Sequence, residues 1–88
     1  MRDIRFTQIA FDQYLEWQRI DKEIFSKINK LILETTRTPF NGSGKPEPLK
    51  HEFKGYWSRR INEEHRLVYR VADDYIKIIG CKLHYQKK

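Results

Sequence analysis

Three runs near the C-terminus decide the fold: Tyr56-Trp57-Ser58-Arg59-Arg60-Ile61, Arg66-Leu67-Val68-Tyr69-Arg70-Val71, and Tyr75-Ile76-Lys77-Ile78-Ile79-Gly80-Cys81-Lys82-Leu83-His84-Tyr85. They are dense in aromatic and β-branched residues, the types that suit a pleated, half-buried surface. Turn formers separate them, Asn62-Glu63-Glu64 after the first and Asp73-Asp74 after the second. The spacing therefore predicts an antiparallel meander.

Upstream of the meander, Asn41-Gly42-Ser43-Gly44-Lys45-Pro46-Glu47-Pro48 reads as a flexible loop. Its Gly-Ser-Gly-Lys run is not a phosphate loop, because Pro46 stands where Ser or Thr would follow the lysine and no helix opens there. Two helices precede the loop. Thr7 can cap the first, whose apolar positions Phe11, Tyr14 and Leu15 follow helical spacing with Ala10 and Trp17 flanking them. Asp21 can cap the second, where Ile24, Phe25, Ile28, Leu31 and Ile32 form an apolar stripe. That helix should stop near Thr36, ahead of Pro39. Ile4 to Phe6 form a short first strand. The order is strand, helix pair, loop and meander, which implies an α+β domain with helices packed on an antiparallel sheet. No repeat or linker divides residues 1–88, so one domain is expected.

Strand register poses a problem of parity. If Asp73-Asp74 is a two-residue turn, Ala72 faces Tyr75 and Arg66 falls opposite Cys81. Arg66 then shares a face with Tyr85 and sends His84 to the other, since side chains alternate. The same register gives the better apolar match, with Leu67, Tyr69 and Val71 facing Gly80, Ile78 and Ile76. A bulge near Gly80 or a longer turn would reconcile the two.

The chain of 88 residues carries a net charge of +6, a strong bias towards polyanions for so small a body. Aromatics sit among the basic residues at Tyr56-Trp57-Ser58-Arg59-Arg60, a combination suited to stacking on bases and holding phosphates of single-stranded RNA. No apolar stretch is long enough for a membrane span, and no apolar segment of secretory type follows Met1-Arg2-Asp3. One cysteine, Cys81, forms no intramolecular disulfide and fits a reducing cytosol. A zinc site needs four well-spaced ligands, and Cys81, His84, His51 and His65 make no paired motif. No metal and no cofactor are expected.

Glu47 stands between Pro46 and Pro48, which stiffen the backbone and fix where its carboxylate points. Taken alone it reads as a solvated loop glutamate. Arg66 alone reads as an ordinary exposed strand arginine, His84 as a surface group, and His51 and His65 as surface groups or as residues that support a site from behind. Longer motifs change that reading. Thr38-Pro39-Phe40, Gly44-Lys45-Pro46-Glu47-Pro48-Leu49-Lys50-His51, Trp57-Ser58-Arg59-Arg60-Ile61, Glu63-Glu64-His65-Arg66-Leu67-Val68-Tyr69 and Cys81-Lys82-Leu83-His84-Tyr85 together resemble the YoeB family of the RelE superfamily. Tyr14-Leu15-Glu16-Trp17-Gln18 and Lys27-Ile28-Asn29-Lys30-Leu31 extend the resemblance over residues 4–85.

The resemblance implies a RelE-like microbial ribonuclease fold and the toxin of a type II toxin–antitoxin pair, cutting messenger RNA in the ribosomal A site. It implies Glu47 as general base, His84 as general acid, Arg66 as stabiliser of the phosphate, and Tyr85 positioning the substrate or stacking on a base. Lys50 and Arg60 would hold backbone phosphates. Implied partners are a cognate YefM-like antitoxin, the ribosome and its message, with a homodimer left open and operator DNA reached only through the antitoxin. The implied setting is the cytoplasm, away from membranes. Family members often stop at the His-Tyr pair, whereas this sequence continues Gln86-Lys87-Lys88, so a terminal carboxylate beside Tyr85 is not carried over. Two other functions share the features: a ParE-like gyrase inhibitor, which needs no acid–base set, and an RNA-binding module without chemistry.

Overall fold

The computed structural model describes residues 1–83. In chain order they form β1 (Asp3–Phe6), α1 (Gln8–Ile20), α2 (Lys22–Arg37), β2 (Glu47–Pro48), a one-turn 3-10 helix (His51–Phe53), β3 (Tyr56–Arg60), β4 (Arg66–Val71) and β5 (Tyr75–Gly80). Local chemistry sets the helix ends. The Thr7 hydroxyl accepts from the Ala10 N–H at 3.1 Å and opens α1. Asp21 closes α1, its own N–H donating to Trp17 O at 2.9 Å, while its carboxylate accepts from Ile24 N–H at 3.1 Å and opens α2. One residue thus serves two helices, which makes the connection short enough for an antiparallel pair. The α2 helix ends at Arg37, one residue past the expected stop and two before Pro39.

The sheet has five strands in the order β1-β5-β4-β3-β2. The meander β3-β4-β5 is antiparallel as the sequence predicts, but β1 runs parallel to β5, pairing Asp3 with Tyr75 and Phe6 with Ile78. The sheet is therefore mixed rather than wholly antiparallel. A parallel neighbour needs a long crossover, and the helix pair and everything after it lie between the two strands. The loop read as ending at Pro48 also gains a strand. Glu47 and Pro48 pair with Ser58 and Trp57 at the sheet edge, where a proline without an N–H does no harm.

Both helices cover one face of the sheet. The core combines Ala10 and Trp17 of α1, Ile28, Leu31 and Ile32 of α2, and Ile61, Leu67, Tyr69, Ile76, Ile78 and Cys81 from the sheet side. Each large apolar side chain buried there contributes about 1.5–3 kcal/mol. In α1 the inward positions are Ala10, Tyr14 and Trp17; Phe11 and Leu15, expected on the buried face, remain 41% and 44% exposed. The one-residue rotation of the buried face arises because Trp17, the largest side chain of the helix, takes the inward position.

Alternation turns the other side chains to the face without helices, where Glu47 is exposed while Ser58, Val68 and Gly80 beside it are buried. Across it run Glu47, Ser58, Val68 and Gly80 in one row, Arg60 opposite Arg66 in the row on one side, and Tyr56, Arg70, Lys77 and Arg5 in the row on the other. The expected register holds up to Tyr69 opposite Ile78, and Ala72 N–H donates to Tyr75 O at 2.8 Å across a two-residue turn. Val68 then faces Gly80, leaving Ile79 as the extra residue of a bulge. The irregularity is thus a bulge in the strand and not a longer turn, while His84 and Tyr85, whose faces the parity concerned, lie outside the described residues.

Candidate active face of the sheet

A single buried arginine builds the loop that delivers Glu47. Arg59 is inaccessible to solvent and points to the helix side of β3. Its guanidinium donates to Thr38 O, to Ser43 O at 3.1 Å and to Asn41 O at 3.0 Å, and its Nε donates to the Tyr69 hydroxyl at 3.2 Å. Tyr69 in turn donates to Pro39 O at 2.6 Å. The Glu34 carboxylate lies 3.6 Å from Arg59 and accepts from Ser43 N–H at 2.8 Å. That backbone bond, ahead of the Arg59 charge and against partial burial, holds the Glu34 carboxyl below its usual range. Burial dominates at Tyr69, pushing its hydroxyl up while Arg59 opposes the shift. Residues 41–43, the start of the loop read from sequence as flexible, are thus stapled with Thr38 and Pro39 to α2, β3 and β4.

The staple continues into the sheet. Arg60 N–H donates to Gly44 O at 2.7 Å. Gly44 has φ +81°, and a Cβ there would stand 2.9 Å from Arg60 O, so only glycine fits this approach. Three residues later Glu47 pairs with Ser58 and presents its exposed carboxylate on the face without helices.

Arg66 lies on the same face, one row away and two strands across, roughly 12 Å at the usual strand spacing and rise. Its Nη1 donates to Asn62 O, Glu63 O and His65 O at 2.7, 3.2 and 3.1 Å, so the guanidinium is fixed on the β3–β4 turn. Among the described residues its side-chain hydrogen bonds all run through Nη1. Arg60 faces Arg66 directly. Like charges opposed in this way repel, and a bridging anion relieves the cost. Lys50 is exposed at the start of the 3-10 helix, beyond Pro48.

His84 and Tyr85 lie outside the described residues. The segment that leads to them is described, and it is held. Cys81 N–H donates to Gln13 Oε1 at 2.8 Å, Trp17 Nε1 donates to Cys81 O at 2.9 Å, and Lys82 pairs with Glu16 at 3.0 Å. Arg66 N–H donates to Leu83 O at 3.2 Å, which sets the backbone of one candidate residue against the neighbour of another. Burial pushes the Cys81 thiol up to about 12, so it is no nucleophile at neutral pH. Among the described residues no three His, Cys, Asp or Glu side chains gather as a metal site.

Two residues central to this arrangement were not singled out in the sequence. Arg59 carried a usable signal, because it shares the inward parity of Trp57 and Ile61 and an arginine there must be buried and fully bonded. His65, read as a surface group or as one that supports the site from behind, is 7% exposed, with its ring edge-on to Trp17 at 4.8 Å. Nothing in its local sequence signalled that.

The family model for YoeB-like toxins of bacterial type II toxin–antitoxin systems matches residues 6–85. The chain belongs to the YoeB family. It is 59% identical over 80 residues to Toxin YoeB of Escherichia coli K12, covering 91% of this chain and 95% of that one. A YoeB dimer from Staphylococcus aureus superposes with a TM-score of 0.89 at 49% identity, over 96% of this chain and 98% of that one. A YoeB–YefM complex from the same organism gives 0.87 at 48%, over 97% and 99%. The mixed five-stranded sheet with its helix pair is thus the YoeB architecture, and the chain is toxin-like over nearly its whole length. No helix among the described residues is long and apolar enough to cross a membrane.

Proposed function

We propose that this YoeB-family chain is an endoribonuclease that cuts messenger RNA in the ribosomal A site by metal-independent acid–base chemistry. The observation that carries the reading is the placement of Glu47 and Arg66 on the one face without helices, the first an exposed carboxylate on a stapled strand, the second fixed on a turn. Such a pair suits attack by the ribose 2′-hydroxyl on its own phosphate. Glu47 removes the hydroxyl proton, and Arg66 meets the charge that grows on the phosphate with planar, charge-assisted donors. His84 protonates the departing 5′ oxygen, a role suited to a group that titrates near neutrality. Tyr85 positions the substrate or stacks on a base, while Arg60 and Lys50 hold neighbouring phosphates. The products are then a 2′,3′-cyclic phosphate and a 5′-hydroxyl.

The ribosome belongs in the reading because the candidate set lacks the paired histidines with which many autonomous ribonucleases work, so RNA needs an outside platform to orient it. The cytoplasm follows from that partner. An acidic antitoxin of the YefM kind suits the +6 surface, and the Staphylococcus aureus relatives seen with YefM and as a dimer support both assemblies. Cleavage by purified protein is compared on free message and on ribosomes programmed with it. Strong cleavage is expected only on ribosomes, with Glu47→Ala or His84→Ala slower by about 10²–10⁴-fold. Equal rates on both substrates would contradict the ribosome's role. DNA damage without RNA cleavage would favour a ParE-like action on gyrase, and RNA binding without cleavage a plain binding module.

A further inference from the structure

The buried imidazole of His65 has no task in the reaction just described, yet it touches the chain immediately before His84. Its Nδ1 accepts a hydrogen bond from Leu83 N–H at 2.8 Å. An acceptor at Nδ1 requires a lone pair there, so the ring proton sits on Nε2, which lies 3.6 Å from Glu64 Oε1. The ring stands edge-on to Trp17, whose own Nε1 holds Cys81 O. Its backbone is fixed as well, because Asn62 Oδ1 accepts from His65 N–H at 2.7 Å and Ile61 N–H donates to His65 O at 3.0 Å.

Leu83 is therefore gripped at both polar groups, its N–H by His65 and its C=O by the Arg66 N–H. It also has φ +64°, a left-handed conformation that a leucine adopts rarely and keeps only where its surroundings hold it. From these contacts we propose that His65 is a positioning residue: its Nδ1 holds Leu83 in the left-handed conformation, and that hold on the residue before His84 is needed for cleavage at full rate. The inference rests on the proposed ribonuclease reading for its consequence and on geometry alone for the latch.

The test compares three variants chosen by where they place an acceptor. His65→Asn puts an amide oxygen at the Nδ1 position. His65→Gln puts its polar atoms near the Nε2 position, away from Leu83. His65→Phe keeps a ring against Trp17 and removes both nitrogens. Hydrogen exchange at the Leu83 amide, read without RNA, reports the latch whatever reaction the protein catalyses. Single-turnover cleavage on programmed ribosomes reports positioning, as the maximal rate against the half-saturating concentration. Wild type and His65→Asn should protect the Leu83 amide, and His65→Gln and His65→Phe should expose it. The last two should lose on the order of 10–100-fold in maximal rate, with little change in half-saturation. If His65→Phe does not fold, the Asn and Gln pair carries the same contrast.

The proposal is overturned if His65→Gln keeps the Leu83 amide protected, or if exposing that amide leaves the maximal rate unchanged. It is equally overturned if His65→Phe matches wild type while His65→Asn does not, since packing alone would then be at work. A wild-type protein that protects the amide but cuts no RNA would overturn the ribonuclease reading and with it the positioning role, while leaving the latch itself in place.

Discussion

The strand that carries Glu47 and the segment that leads to His84 reach the same end of the molecule by opposite means. The first is anchored by one buried guanidinium that serves three carbonyls, a phenol and a carboxylate. The second is held by neutral bonds from Gln13, Trp17 and His65 and by one exposed ion pair. A buried charge with several partners makes an all-or-none staple, because its loss strands every partner at once. Neutral bonds release one at a time, each at a cost near 1 kcal/mol. The candidate base is thus built into the fold, while the approach to the candidate acid is a set of small, separable grips. An acidic partner can displace such a segment with modest binding energy, and it cannot displace the Glu47 strand without unfolding the loop.

Arg59→Ala gives the sharpest way to break this contrast. It should destabilise the protein by about 3–5 kcal/mol, measured from urea midpoints, because the buried charge and its bonds vanish together. Loss below about 1 kcal/mol would mean that the loop does not depend on the guanidinium. Gly42→Ala comes next. At φ +117° a Cβ would lie 1.9 Å from Glu34 Oε2, so the carboxylate must swing off Ser43 and the backbone must stay strained. A loss of about 1–3 kcal/mol is expected by the same measurement. A neutral outcome would show that the loop opens there without cost.

On the other side, Trp17→Phe keeps a six-membered ring in the core but deletes the Nε1 donor to Cys81 O together with part of the indole's volume. It should cost about 1–3 kcal/mol. If it cost as much as Arg59→Ala, the two regions would be alike and the contrast would fail. The smallest effect concerns pH. Glu34 has its carboxyl held low in the folded state, so its stabilisation is complete above the ordinary value of 4.5 and fades as pH falls through the depressed one. Thermal midpoints of wild type and Glu34→Gln should therefore differ at neutral pH and converge in acid. A gap that persists unchanged into strong acid would remove Glu34's charge from the account.

The contrast also marks what could be read from sequence. The meander, the two capped helices and the turn at Asp73-Asp74 were legible because they are local, written in alternation, caps and turn residues. The bulge was legible as one of two ways to reconcile the parity around Gly80, a longer turn being the other, though its place at Ile79 was not. The parallel pairing of β1 was hidden, because nothing local in Ile4 to Phe6 states which strand lies beside it. The same holds for the site. Glu47, Arg60 and Arg66 share a face only through a five-stranded register, and residues 41–43 look loose until Arg59 reaches them from far along the chain. Phe11 and Leu15 misled for a simpler reason: two neighbouring helical faces both carried apolar residues, and only packing chose between them.

Glu47 as base on a ribose hydroxyl is the claim on which the proposed chemistry turns, and one substitution in the substrate tests it without altering the protein. Ribosomes are programmed with a message carrying a single 2′-deoxy nucleotide on the 5′ side of the cut, and cleavage is mapped to nucleotide resolution beside the all-ribose message. The account predicts that the all-ribose message is cut to a 2′,3′-cyclic phosphate and that the deoxy message is not cut at that position, because the nucleophile is gone. Cleavage of the deoxy message at the same position would make an activated water the attacker and would contradict the role given to Glu47.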